Sequence, residues 1–171
     1  MDTPSAGPPL LRPFSDSDRF RLRRWLSDSH VISWWGSRAT AEASIALAMH
    51  SPSAIVRIIE LNNEPIGYAH ALDLQDSKLP AAVWHADIFI GSCMHQGHDI
   101  GITALKALTA ELFSTTLASG LSIRVPIKYE RQVRLIERVG FCWHALEAAS
   151  PIGPAWLLVA HRKQLPIQGT T

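Results

Sequence analysis

A chain that carries the run AAVWHADIFIG (residues 81–91), the turn-forming stretch MHQGHDIG (94–101) and then an apolar-periodic run from Ile102 to Thr116 has few folds open to it. The first run has the β-branched and aromatic content of a central strand, and the last has helical periodicity. A strand that enters a Gly-containing turn and then a helix points several amide N–H groups along the helix axis, where the helix dipole adds partial positive charge. Such a turn is an anion cradle. Gly97 and Gly101 would let the backbone approach a pyrophosphate with no Cβ in the way, and Gln96 can donate a further hydrogen bond. A plainer reading stands beside this one, in which Gly97 only makes the turn and Gly101 only eases packing of the helix on a sheet.

Around this unit, strand and helix signals alternate. PLLRPF is a strand candidate, and Ser15 or Asp16 can cap a helix through SDRFRLRRWL whose apolar stripe is Phe20, Leu22, Trp25 and Leu26. Helical patches follow in HVISWW and ATAEASIALAMH, the latter ended by Pro52. AIVRIIEL and PIGYAHAL flank NNE, a connection suited to a hairpin. After the loop DLQDSKLP come the central strand and its helix. A strand at LSIRVPI, a helix at YERQVRLIERVG and strands at FCWHALEA and AWLLVAHR follow, with Trp143 and Trp156 as core. This order gives the fold class α/β (α+β), with a mixed, mostly antiparallel central sheet flanked by helices.

At 171 residues with 47% hydrophobic content, the chain fits a single domain over 1–171, its core at about 10–162 with short tails. The formal net charge is +1 with dispersed basic residues, which excludes the broad cationic surface that nucleic acid requires. Even RFRLRR (19–24) reads as the solvated face of a helix or a small anion patch. Cys93 and Cys142 match no metal or redox spacing and read as small core residues in a reducing compartment. No basic-then-apolar leader and no run of about 18 apolar residues occurs, so no membrane partner is expected and the localisation expected is cytoplasmic. His85, His95 and His98 surround the turn at spacings that fit no zinc pattern, and no metal is expected.

QGHDIG followed by ITALKALTAELF resembles the acyl-coenzyme A binding segment of the GNAT superfamily of N-acetyltransferases, whose pattern is Gln or Arg, two residues, Gly, one residue, then Gly or Ala. Gln96 and Gly101 match its ends, while Asp99 stands where the middle glycine is usual. RLIERVGF resembles the family's later helix with its terminal Gly140-Phe141. WLSDSHVISWWGS (25–37), NNEPIGYAHA (62–71) and the DIFIG that opens at Asp87 resemble, in order, stretches of the aminoglycoside 6′-N-acetyltransferases, so the likeness spans about Leu10 to Arg162.

The resemblance implies a splay between the two central strands and acetyl-coenzyme A as cosubstrate. It implies cofactor contacts from Phe89, Ile90, Gln96, Gly97, His98, Asp99, Ile100 and Gly101, with Phe89, Ile90 and neighbouring amides holding the pantetheine arm. Direct attack on the thioester by an amine follows. A primary amine with a pKa of about 10.4 arrives protonated at neutral pH and must lose a proton. Asp87, aligned with the acid of the family's D-x-x-I-G stretch, is the candidate base or amine-orienting group; the alternative is a solvent-facing polar residue or a partner for a nearby Arg. An isolated carboxylate buried among Trp84, Ile88 and Phe89 is expected to have a raised pKa. The tyrosine that often meets the departing thiolate is replaced by Ile136, and Tyr129 lies more than a turn away, where asparagine is common. A thiol with a pKa of about 8.5 can leave without that donor, more slowly.

The amine is a small-molecule partner, with an aminoglycoside-like aminosugar first and a protein N-terminus behind it. A non-catalytic coenzyme A binding protein is the alternative, and homodimerisation is left open. Substrate contacts are expected from Trp34, Trp35, Tyr68, Asp73 and Trp84. Trp34 and Trp35 form either an aromatic wall or helix packing; adjacent helical residues diverge by about 100°, so at least one belongs to the core. A polycation needs several carboxylates, and the acids on hand are Asp73, Asp76, Asp87 and Glu147, opposed by Lys78.

Overall fold

The computed structural model describes residues 7–96 and 99–163. Strands β1 (Leu10–Pro13), β2 (Ile55–Leu61), β3 (Glu64–Leu72), β4 (Val83–Ile90), β5 (Gly120–Pro126), β6 (Cys142–Glu147) and β7 (Ala155–His161) form one seven-stranded sheet in the order β1-β2-β3-β4-β5-β7-β6. Helices α1 (Arg19–Trp25), α2 (Ser29–Trp35), α3 (Arg38–His50), α4 (Ile100–Thr115) and α5 (Glu130–Arg138) flank it. All neighbours pair antiparallel except β4 and β5, which run parallel with α4 as their crossover. This is the GNAT fold that the resemblance implied.

Local chemistry accounts for the boundaries. Asn62 and Asn63 both take positive φ (52° and 65°), the conformation a two-residue hairpin loop needs between β2 and β3, and asparagine tolerates it. Ser15 and Asp18 form a reciprocal cap ahead of α1, and Asp18 also takes two 2.7 Å hydrogen bonds from Arg12, fastening β1 to the first helix. Gly91, just after β4, has no room for a side chain, since a Cβ there would lie 2.2 Å from the Trp25 ring. The close approach seats α1 against the end of the central strand.

Alternation along the strands sorts the core into two layers. Ile59, Ile66, Ala69 and Ala86 face Leu105, Leu108 and Leu112 of α4 and Ile136 of α5. Ile58, Tyr68 and Phe89 face the other way, against Leu22, Trp25, Val31, Trp35 and Ile45 of α1 to α3.

Several expectations change at the surface. Phe20 is 79% exposed, because the seven-residue α1 buries Leu22 and Trp25 and turns Phe20 away from them. Cys142 and Trp143 are exposed because β6 is an edge strand, and Cys93 lies in the exposed 3-10 turn after β4. Trp156 does pack against the core. No helix among the described residues is long and apolar enough to cross a membrane.

Candidate active site

The site arises where two parallel strands part. β4 and β5 are in register from Val83↔Gly120 to Ala86↔Ile123 and no further. Beyond that point β4 continues from Asp87 to Ile90 on β3 alone, and β5 continues from Arg124 to Pro126 on β7 alone. Backbone groups on the parted edges therefore lack a strand partner.

Two clefts open at this gap. The larger, about 350 Å³, opens between α2, α4 and α5; it is lined by Ile88, Phe89 and Ile90 of β4, Ile123 of β5, and residues of these three helices. The second, about 290 Å³, lies under α3 and is lined by Asp87, Arg124, His85 and Ser44 among apolar residues. Consecutive residues divide between the two: Asp87 and Arg124 face one cleft, Ile88 and Ile123 the other. The clefts thus back onto each other at the gap.

The larger cleft has the features of an anion-and-arm site. Asp99 caps α4 without a side-chain hydrogen bond, and its carbonyl accepts from Thr103 N at 2.9 Å, so the first-turn amides precede that bond and point along the axis towards the cleft. Gln96, Asp99 and Gly101 all line it. A Cβ on Gly101 would make only an ordinary 3.7 Å contact with Ile90, so packing against the sheet does not demand glycine there. Ile100 starts α4 without lining the cleft. Gly97 and His98 lie outside the described residues. Three contributors went unrecognised in the sequence: His30, whose Nε2 is 3.2 Å from Ile90 O, and Arg131 and Gln132 of α5. An Arg near a helix start beside an anion cradle is the signal that could have found Arg131.

Ile136 is buried on the wall of this cleft, where the family's tyrosine is expected. Tyr129 lines the same cleft, stacked on Trp34 at 5.4 Å, and its hydroxyl is 2.6 Å from Ser33 Oγ. Ser33 donates to His30 O, so Tyr129 is the donor in that pair.

On the opposite side, Asp87 is buried at the centre of a polar chain. Ser44 donates a short hydrogen bond to Oδ2; His70 Nε2 is 3.6 Å from Oδ2 and His85 Nε2 is 3.5 Å from Oδ1. The Tyr68 hydroxyl reaches His70 Nδ1 at 3.2 Å, which leaves the Nε2 proton of His70 facing the carboxylate. Ser122 donates to Trp84 O and so accepts from His85 Nδ1 at 3.1 Å. A proton on His85 Nε2 therefore makes a cation paired with Asp87. Burial pushes the Asp87 carboxyl upward, but His85, His70 and Ser44 outweigh it and hold the group below the usual carboxylate range. This corrects the expected rise: the carboxylate is not isolated. Burial lowers His70 to about 4, against the pull of Asp87.

Arg124 is a component the sequence reading missed. Its Nε donates to Glu147 Oε2 at 2.6 Å and its Nη2 to Asp76 Oδ2 at 2.7 Å, while Lys78 Nζ reaches Glu147 Oε1 at 3.1 Å. The acids are held below the usual range, Asp76 first by the Lys78 backbone N–H and then by Arg124, and Glu147, against burial, by Arg124 and Lys78. A charged residue inside the apolar alternation LSIRVPI was the available signal.

The expected substrate contacts are largely redistributed. Tyr68 is fully buried and touches His70 and Phe89 instead of a cleft. Trp84 packs with the α4 layer, on the face of β4 opposite Asp87, because strand neighbours alternate. Asp73 caps its own loop, accepting from Gln75 N at 3.0 Å, and lines neither cleft. Trp34 belongs to the larger cleft, and Trp35 is core with an edge on the smaller one.

A family model described as an acetyltransferase (GNAT) domain matches residues 15–146, and the chain belongs to that family of acetyl-CoA-dependent enzymes. The aminoglycoside N(6′)-acetyltransferases type 1 of Klebsiella pneumoniae and Serratia marcescens are each similar to it, at 28% identity over 170 residues, covering 90% of this chain and 83% of theirs. A structure of AAC(6′)-Ib in complex with ribostamycin and coenzyme A superimposes with a TM-score of 0.77 at 25% identity, over 91% of this chain and 94% of that one. The complex of the same aminoglycoside acetyltransferase with coenzyme A and kanamycin gives 0.75 at 25% identity, over 90% and 95%.

Proposed function

We propose that the protein transfers an acetyl group from acetyl-coenzyme A to a primary amine of a small molecule by direct attack, with the two reactants entering from opposite faces of the sheet. The parting of β4 and β5 after Ala86 and Ile123, with one cleft on each side, carries this reading. The bound cosubstrate supplies its acetyl group as a thioester, from which the thiolate leaves. The α4 first turn, Gln96 and Arg131 fit its phosphates, and the unpaired edge of β4 at Phe89 and Ile90 fits its arm.

Asp87 receives the amine from the α3 side. With its carboxyl kept ionised, it first anchors the ammonium and turns the nitrogen towards the gap. The ammonium first gives one N–H proton to the Asp87–His85 pair, whose Oδ1 and Nε2 lie 3.5 Å apart, so that its nitrogen can attack; the second proton, shed as the amide forms, leaves on the departing thiolate as free thiol. Asp87 is thus chiefly an orienting group and a conduit. Tyr129 lines the same cleft but donates to Ser33, so its proton does not replace that of a tyrosine at Ile136.

Aminoglycosides are the amines named for the relatives, and a 28% identity makes an aminosugar the first substrate class to try. Incubation with acetyl-coenzyme A and a panel of amines, read by mass spectrometry for a single acetyl addition, tests the reading. An acetylated amine is expected; binding of acetyl-coenzyme A with no amine acetylated would instead point to a non-catalytic coenzyme A binding protein.

A further inference from the structure

The cleft beside Asp87 differs from what a polycation needs. A ligand with several ammonium groups requires several free carboxylates at close range. Of the four acids expected on this side, Asp76 and Glu147 are taken up by Arg124 and Lys78, and Asp73 lies outside the cleft. Asp87 alone faces it. Arg124 itself lines the cleft, paired with those two acids, and its Nη1 makes no hydrogen bond among the described residues, so the wall adds no free negative charge but an N–H donor to spare. Extra ammonium groups would meet an N–H donor where they need a carboxylate.

Apart from Thr40, Ser44 and His85, the rest of the wall is apolar. Ala43, Leu47, Leu74 and Ile152 surround the carboxylate, with Leu47 at 53% and Leu74 at 37% exposure. Large aliphatic side chains left half in water beside a single buried carboxylate are complementary to a ligand with one charged end and an oily body. The space, about 290 Å³, is at the lower end for a ligand pocket.

Resting on the acetyl-transfer reading above, we infer that the acceptor is a small amphipathic monoamine, a primary amine on an apolar body, in preference to an aminosugar with several ammonium groups. The amine meets Asp87, the body lies against Leu47 and Leu74, and any hydrogen-bond acceptor on it meets Arg124 Nη1.

The test is release of free thiol from acetyl-coenzyme A with 2-phenylethylamine and with kanamycin, on the wild type and on Leu47→Asp. Leu47 is on the surface of α3, so the variant adds an acid at the mouth without emptying the core. The expected result is a kcat/KM at least tenfold higher for 2-phenylethylamine, with Leu47→Asp narrowing that ratio at least threefold. Equal or better turnover of kanamycin would overturn the inference while leaving acetyl transfer intact. So would a ratio unmoved by Leu47→Asp, since the body would then lie elsewhere. Acetyl-coenzyme A binding, seen by calorimetry, with no thiol release from either amine would overturn the transferase reading, and the inference with it.

Discussion

The two sides of the β4–β5 gap are built on different principles. The side between α4 and α5 sets backbone features among its lining side chains: a helix start, a strand edge without a strand partner and a glycine that packing does not require. The α3 side is made of side chains locked into a buried network, with Asp87 between two imidazoles and Arg124 between two carboxylates. On the reading proposed above, backbone recognises what the members of a family share, the cosubstrate, and tolerates change in the side chains around it. A network of buried charges is unforgiving, since each partner removed strands another. The acceptor side should therefore carry the sharper mutational effects.

The largest expected effect is on chemistry. Asp87→Asn should lower kcat by about 100-fold or more, while calorimetry gives an unchanged affinity for acetyl-coenzyme A; a shared loss of both would mean that the two sides are not separable. Next comes stability. Glu147→Ala leaves the buried Arg124 with Asp76 as its one carboxylate partner and should destabilise the fold by about 3 kcal/mol in urea unfolding, against a small effect from breaking the exposed Arg134–Glu130 pair.

A third prediction follows from His70, buried and lowered to about 4. The unfolded chain takes up this proton near the ordinary value of about 6.5 and the folded chain does not. Its contribution is therefore complete above pH 6.5 and lost as pH falls towards 4, by up to about 3 kcal/mol. Replacing His70 by Gln should flatten that part of the stability profile, as read by unfolding at stepped pH. The smallest effect belongs to the backbone side. Asp99→Gly removes a carboxylate from the cradle and should tighten acetyl-coenzyme A binding by several-fold, the scale of about 1 kcal/mol for a charge at a helix start.

The same contrast explains what the sequence could and could not disclose. Hydrophobic period and turn chemistry are local, so NNE, the cap at Ser15 and the β4-turn-α4 unit were all legible, and the order of elements led to the observed sheet class. The position of Asp87 was legible through its motif, but its electrostatics were not, because His70 arrives from β3, Ser44 from α3 and His85 from the same strand face. Arg124 escaped notice because its meaning depends on Glu147 and Asp76, which are distant in sequence and meet only once β6 and the β3–β4 loop close over β5. Tyr68 and Trp84 were assigned to substrate on residue type alone; the alternation of strand faces sends one into the α1–α3 core and the other to the α4 side. Phe20 and Trp143 show the converse, large apolar residues left exposed because one lies on the outer side of a short helix and the other on an edge strand.

The central claim is that the cosubstrate occupies the larger cleft, at the start of α4. Calorimetric titration of acetyl-coenzyme A into the wild type and into Gly101→Trp tests it most directly. The account predicts micromolar binding to the wild type and at least tenfold weaker binding to the variant, with its fold intact by circular dichroism. Absence of binding to the wild type, or equal binding by a folded Gly101→Trp, would contradict it.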